Sequence, residues 1–364
     1  MSSHKRLFVA ATRQNDGKST ICLGLLQILR KKYSRVGFIK PVGQHYVEEE
    51  GVKVDEDVIL MRKVCSINNS LKDMNPIAVT KGFTERYIRK GGREKYVRMI
   101  KDSYARISRD KDLMLIEGTG HAGVGAVFDL SNASVAKLLE SKVLLISTGG
   151  IGRPIDEIVM NKALFDQEGV EIVGVVINKV LPKKYEKIKE ITGIGLKRKK
   201  IKLLGVVPFQ EALTYPTMEQ IMEATGAKIL CGEEFLQRKV INILVTAMEP
   251  YHALSYFAPN SLIIVPGDRE DIFLAVIASR GILGNGYEVA GVILTGGLLP
   301  HKNLLNLVKK CYFTLLFSKD DTYTTAKKVY ECRVKIRATD EDKVKRAAHL
   351  VGTYLNIDEI VSQI

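Results

Sequence analysis

Residues 9–26, VAATRQNDGKSTICLGLL, place Gly17-Lys18-Ser19-Thr20 behind one short apolar run and ahead of another. A strand, a loop, a Gly-Lys-Ser and a helix form the context in which a phosphate loop works. Backbone N–H groups of Asn15, Asp16 and Gly17, with the helix start at Lys18, Ser19 and Thr20, can surround a phosphate. Lys18 adds positive charge, and the Ser19 hydroxyl can reach Mg²⁺. The chemistry predicted is binding of a nucleotide phosphate with Mg²⁺. The first glycine of the pattern is missing. The standard spacing puts it at Thr12, and a one-residue-longer variant at Ala11. Either residue can follow the loop path if φ stays negative there. The competing explanation is a chance Gly-Lys-Ser at a helix start.

Elements of two kinds must position this loop. RLFVAA (6–11), VGFIKPV (36–42), LMLIEG (113–118), KVLLIST (142–148), IVGVVINKV (172–180) and KLLGVVP (202–208) are short β-branched runs separated by helix-length segments. Continuous apolar runs suit strands buried on both faces, so they predict a parallel α/β sheet. KVINILVTAM (239–248), SLIIVPG (261–267), VAGVILTGG (289–297) and YFTLLFS (312–318) repeat the grammar. Pro216 and the polar residues of 209–226 mark a boundary. The expected organisation is a parallel-sheet α/β P-loop nucleotide-hydrolase domain over 1–210 and a second, smaller α/β domain over 211–338. A helical tail over 339–364 opens on Thr339-Asp340-Glu341-Asp342, a cap with an acidic first turn.

With 364 residues the chain exceeds one ordinary domain, and 46% hydrophobic with 26% charged residues is a globular composition. The net charge of +14 is spread along the chain, densest at LKRKKIK (196–202), where a helix end accounts for it. Aromatic residues are 7% with no Trp, and no nucleic-acid module is present, so a nucleic-acid partner is not expected. Cys22, Cys65, Cys231, Cys311 and Cys332 have no CxxC spacing and no signal peptide ahead of them. They read as reduced thiols of a cytoplasmic protein. The dispersed histidines predict no zinc site, and no apolar stretch is long enough to span a bilayer.

Further residues join the loop. FIKPVGQ (38–44), DEDVILM (55–61) with Asp57, IEGTGH (116–121) with Glu117, VINKV (176–180) with Asn178, and LGVVP (204–208) resemble dethiobiotin synthetase in order and spacing. The resemblance covers residues 5–210 and extends to the fold shared with cobyrinic acid a,c-diamide synthase. It implies Lys18 on the β- and γ-phosphates, and Ser19, Asp57 and Glu117 around Mg²⁺. It also implies Lys40 at the transferred phosphate, Asn178 at adenine, and a dimer. Read from the residues alone, Asp57 could belong to a solvated acidic helix start with Asp55 and Glu56, and Asn178 could be a turn residue. The loop offers Arg13, Gln14, Asn15 and Asp16 where the synthetase positions substrate, and Gly43-Gln44 follow Lys40-Pro41-Val42. The substrate pocket is therefore expected to differ.

PGDREDIFLAVI (266–277) and VILTGG (292–297) match the Asp-Arg and Thr-Gly-Gly signatures of the DRTGG domain over about 212–335. A synthetase-like domain followed by a DRTGG domain resembles the N-terminal regulatory part of long phosphate acetyltransferases. The chain ends at Ile364 without their catalytic domain. That resemblance implies an ATP-binding regulator or sensor acting on a metabolic enzyme. The alternative is an ATP- and Mg²⁺-dependent ligase using Lys40 and Lys18. In the second domain Asp268 and Arg269, with Thr295, Gly296 and Gly297, open on one sheet edge and are candidate ligand contacts. Alternatively, Asp268 and Arg269 pair with each other or cap the next helix, and the glycines make a tight turn.

Overall fold

The computed structural model describes residues 4–283, 288–308, 312–332 and 334–364; Cys311 lies outside them. The chain forms two compact units. The first comprises Met1–Gln210 together with Ile336–Ile364, and the second comprises Glu211–Lys335.

The first unit begins with β1 (Lys5–Ala11), α1 (Lys18–Lys32) and β2 (Val36–Ile39). A small lobe follows, made of β3 (Val42–Gly43), β4 (Tyr46–Glu49), β5 (Val52–Asp55), α2 (Glu56–Val64), α3 (Leu71–Met74) and β6 (Ile77–Ala78). Next come α4 (Phe83–Lys90), α5 (Arg93–Ser108), β7 (Leu113–Glu117), α6 (Asn132–Leu138) and β8 (Lys142–Thr148). The series closes with α7 (Gly152–Gln167), β9 (Ile172–Val180), α8 (Tyr185–Arg198) and β10 (Leu203–Pro208). Six strands form one parallel sheet in the order β10-β9-β8-β1-β7-β2. β2 and β7 are buried throughout, as continuous apolar runs require in a sheet covered on both faces. From β1 the chain goes to one edge at β2, returns through β7 beside β1, and then crosses to the other side through β8, β9 and β10. The carboxyl end of β1 is thus the topological switch point, where such sheets bind ligands.

The run 36–42 is two strands. Pro41 cannot donate to a ladder, so β2 stops at Ile39, and Val42-Gly43 pair instead with Ile77-Ala78. The C-terminal segment, expected as a separate helical tail, is integrated into the first unit. It forms α14 (Glu341–Tyr354) and α15 (Ile357–Ser362), and Asp340 caps α14 by accepting from the Lys343 N–H at 3.1 Å. Ala347, Leu350 and Val351 are buried, and α14 approaches α1 so closely at Gly24 that a Cβ there would lie 2.4 Å from Val351. An apolar stripe of this kind gains roughly 1.5–3 kcal/mol for each fully buried Val or Leu. That gain is why the segment packs rather than trails.

The second unit contains α9 (Met218–Thr225), β11 (Lys228–Cys231), β12 (Asn242–Val245), α10 (Pro250–Leu254) and β13 (Ser261–Pro266). It continues with α11 (Glu270–Leu283), β14 (Gly291–Thr295), α12 (Lys302–Val308), β15 (Thr314–Phe317) and α13 (Thr322–Tyr330). Its five-stranded sheet runs β11-β15-β14-β13-β12, parallel except for the antiparallel edge strand β11. β11 escapes the apolar-run signal because alternate residues face solvent. Among the described residues, no helix is long and apolar enough to cross a membrane.

Candidate nucleotide site

The loop between β1 and α1 tolerates the missing glycine because the left-handed positions lie elsewhere. Asn15 has φ 66° and Gly17 has φ 89°, whereas neither Ala11 nor Thr12 is among the positive-φ residues. Thr12 does positive work instead. Its Oγ1 donates to Asp16 Oδ2 at 2.9 Å and lies 3.0 Å from Ser147 Oγ, while the Arg13 N–H donates to the same Asp16 oxygen at 2.8 Å. Asp16 is thereby folded back inside the loop, and burial raises its pKa. The Ile21 N–H returns to the Gly17 carbonyl and starts α1. Among the described residues, the N–H groups of 14–20 donate to no acceptor, which leaves a concave row of donors ahead of the helix.

Beneath the loop the sheet edge gathers five side chains, Ser19, Lys40, Asp55, Asp57 and Glu117. Ser19, in the first turn of α1, has Oγ 2.8 Å from Glu117 Oε1 at the end of β7 and 3.0 Å from Asp57 Oδ2 in the first turn of α2. Its single proton serves one carboxylate at a time. Lys40, directly after β2, is 5% exposed. Its Nζ donates to Asp57, reaches Asp55 Oδ1 at 2.9 Å and lies 3.6 Å from Glu117 Oε1. Burial alone would pull the Lys40 ammonium down, yet the Asp57, Glu117 and Asp55 carboxylates together hold it well above the ordinary lysine range. Glu117 is fully buried, and burial pushes its carboxyl up to about 6 against the pull of Lys40.

A divalent cation fits this donor set. Glu117 Oε2 is buried without a hydrogen-bond partner among the described residues. No three His, Cys, Asp or Glu among the described residues group to hold a metal unaided. Mg²⁺ commonly takes one or two carboxylates and completes its shell with nucleotide phosphates and water. Ser19, Asp57 and Glu117 would supply the protein side of that shell.

Asn178, at the end of β9, is also brought to the loop, where its Nδ2 donates to the Asp16 carbonyl at 2.8 Å. Lys179 follows with Nζ 2.6 Å from the Asn15 carbonyl. Lys18 makes no side-chain hydrogen bond or ion pair among the described residues, and Thr20 continues the first turn of α1. Asp55, in the sequence one acid of the triplet with Glu56 and Asp57, is a further member of the site. It is 1% exposed, caps α2 through the Asp57 N–H, accepts from the Gln44 and His45 N–H groups, and holds Lys40. Asn75 was missed altogether. It accepts from the Asp55 N–H and donates to the Lys40 carbonyl, linking the two. Gly43 makes room, since a Cβ there would lie 2.6 Å from Asp55 Cβ and 2.9 Å from Asn75 Oδ1. A hydroxyl-bearing residue at position 43 would collide with that support.

In the second unit, Pro266 of β13 is in register with Thr295 of β14, so Asp268-Arg269 and Thr295-Gly296-Gly297 share one sheet edge. Arg269 forks onto Asp271 at 2.9 and 2.8 Å and also donates to the Ala247 and Met248 carbonyls. Its hydrogen bonds thus tie the start of α11 to the segment after β12 and do not reach Asp268. Thr295 Oγ1 is buried between the Val265 carbonyl and Thr322 Oγ1. Gly296 and Gly297 have φ 79° and 68°, and their N–H groups donate to the Asp320 and Ser318 carbonyls.

Residues 5–217 match the AAA_26 family, described as an AAA domain, and residues 220–332 match the DRTGG domain family. The chain belongs to the AAA_26 family. Its AAA_26 P-loop domain is followed by a smaller DRTGG domain. It is 27% identical over 369 residues to the phosphate acetyltransferase of Nitratidesulfovibrio vulgaris, covering 98% of this chain and 51% of that protein. It is 26% identical over 365 residues to that of Synechocystis sp., again covering 98% and 51%. The chain thus spans about half the length of these curated relatives. Among solved structures, the MinC:MinD complex of Aquifex aeolicus aligns with 58% of this chain and 84% of its own, at 14% identity and TM-score 0.37. The CBS and DRTGG domains of the regulatory region of Clostridium perfringens pyrophosphatase, complexed with diadenosine tetraphosphate, align with 34% of this chain and 50% of their own. Identity there is 24% and the TM-score 0.27.

Proposed function

We propose that the first unit binds ATP with Mg²⁺ and that the chain is a nucleotide-responsive regulatory protein related to the regulatory region of phosphate acetyltransferases. The observation that carries the reading is Ser19 set between Asp57 and Glu117 below a row of unbonded loop N–H groups. Bound there, Mg²⁺ would offset phosphate charge. Asn15, Asp16, Gly17 and Thr20 would surround the phosphates through their backbone, Lys18 would lie along them, and Ser19, Asp57 and Glu117 would hold the cation.

Regulation is favoured because the groups that would handle a second substrate are tied up. Asp16 is bound by Thr12, Arg13 pairs with Glu157, and Lys40 is enclosed by three carboxylates. The test is calorimetric titration of MgATP into the intact chain and into Lys18→Ala. Binding present in the first and lost in the second supports the reading, and absence from both overturns it.

The position of Lys40 favours one second reading, an ATP-dependent ligase in which this ammonium and Lys18 steady a transferred phosphoryl group. Release of ADP that rises when a carboxylate and an amine are supplied together would decide for it. A nucleotide-dependent dimer, a metabolic enzyme as partner and a cytoplasmic setting complete the first reading. Among the described residues Cys22, Cys65, Cys231 and Cys332 form no disulfide, which agrees with that setting. Sedimentation with and without MgATP tests the dimer.

A further inference from the structure

Two consecutive residues of β9 hold two consecutive carbonyls of the loop between β1 and α1. Asn178 Nδ2 donates to the Asp16 carbonyl at 2.8 Å, and Lys179 Nζ donates to the Asn15 carbonyl at 2.6 Å. Neighbouring side chains of a strand point to opposite faces, so a regular β9 would send only one of the two to the loop. The backbone breaks that alternation at Lys179, whose φ is 57°. A residue with a Cβ stays in the left-handed region only where the structure around it over-determines the conformation. Here the strained residue is the one that delivers a second donor to the loop.

In a trans peptide the carbonyl and the N–H of one plane point in opposite directions. The Asn15 carbonyl shares its plane with the Asp16 N–H, and the Asp16 carbonyl shares its plane with the Gly17 N–H. Tethering both carbonyls to β9 therefore turns both N–H groups away from it. The backbone angles agree with this. Asn15 and Gly17 are left-handed at φ 66° and 89°, and Asp16 between them is not among the positive-φ residues. That alternation gathers successive N–H groups into an anion-binding concavity. We propose that Lys179 is a positioning residue of the nucleotide loop, which holds the Asn15 carbonyl so that the Asp16 N–H faces the phosphates. Asn178 sets the next peptide plane, and each plane has its own tether. The inference rests on the nucleotide reading above.

Loop N–H groups of this kind meet the α- and β-phosphates, so the effect should appear with MgATP and MgADP alike. Lys179→Met keeps the left-handed backbone and deletes the donor, whereas Lys179→Gly deletes the donor and releases the backbone. Melting of the full chain should rank Gly above Met. Calorimetry should nevertheless show both variants binding MgATP and MgADP about tenfold more weakly than the parent. Lys179→Arg, which keeps a charged donor of similar reach, recovers most of the affinity. Lys183→Met, which removes an exposed cation in the turn after β9, stays within about twofold of the parent at physiological salt. In the nucleotide-free chain, the carbonyl carbon resonance of Asn15 moves upfield in Lys179→Met and returns in Lys179→Arg. An unmoved resonance, or an affinity that follows the melting temperature from Gly to Met, overturns the proposal. So does a loss confined to MgATP, which would put Lys179 on the γ-phosphate itself. If the parent binds neither nucleotide, the nucleotide reading falls and this inference falls with it.

Discussion

Asn178 Nδ2 donates to the Asp16 carbonyl at 2.8 Å and occupies the space that a Cβ on Gly17 would need, lying 2.2 Å from where that atom would sit. The amide that family resemblance assigns to adenine is thus a strut under the phosphate loop. The two roles separate by nucleotide base. Asn178→Ala removes a hydrogen bond worth about 0.5–1.5 kcal/mol and loosens the loop for every nucleotide. Calorimetry with ATP and GTP should show both affinities falling by a similar factor. A loss confined to ATP would assign the side chain to the base instead.

Restoring the missing glycine should harm the loop. Thr12 needs no positive φ, and its hydroxyl ties Asp16 to Ser147. Thr12→Gly deletes both bonds and adds backbone freedom, at a cost of about 1–3 kcal/mol. Thr12→Ser keeps the hydroxyl and should stay close to the parent. Melting temperature and MgATP affinity should rank parent, then Ser, then Gly, and a gain for Gly would show that the loop wants the standard pattern.

Glu117 gives a pH signature. Its carboxyl titrates at about 6 in the folded protein against an ordinary 4.5, so folding favours the protonated form. The stability this contributes is fully present below the ordinary value and is lost as pH rises through 6. The shift corresponds to about 2 kcal/mol. Without nucleotide or Mg²⁺, Glu117→Gln should therefore be more stable than the parent at pH 7.5, and the gap should shrink by more than half at pH 5 and close only below the ordinary value. Thermal melts at the two pH values check this. The same variant should bind MgATP more weakly, because a function-bearing carboxylate is being exchanged for stability.

The parts of this molecule legible in its sequence are those with a local physical signature. Both-face burial wrote the strands as apolar runs, while Lys40, Glu117 and Asn178 stood out through the resemblance to dethiobiotin synthetase, their places at strand ends agreeing with it. Other features depend on partners remote in the chain. Asn75 reads as any polar loop residue until Lys40 and Asp55 fold around it. Asp55 looks like one acid of three until its burial separates it from Glu56, which is only half-buried. The C-terminal segment folds as α14 and α15, and its docking on α1 depends on Gly24, a small residue whose meaning appears only when Val351 arrives.

Lys40 is the counter-charge of a buried acidic cluster, and this yields a rescue experiment. Lys40→Met keeps the length and removes the charge, leaving Asp55, Asp57 and Glu117 facing one another below the loop. Breaking a buried ion pair from one side costs about 3–5 kcal/mol, so the melting temperature should fall steeply in chelator. Carboxylates left without an ammonium should then attract a cation by themselves. Millimolar Mg²⁺ should recover much of the loss in Lys40→Met and change the parent far less. It should recover nothing in the double variant Lys40→Met with Glu117→Gln, where the cation donor is gone. Equal recovery in all three proteins would mean that Mg²⁺ acts elsewhere on the surface, and that Lys40 and Glu117 serve only to hold the fold.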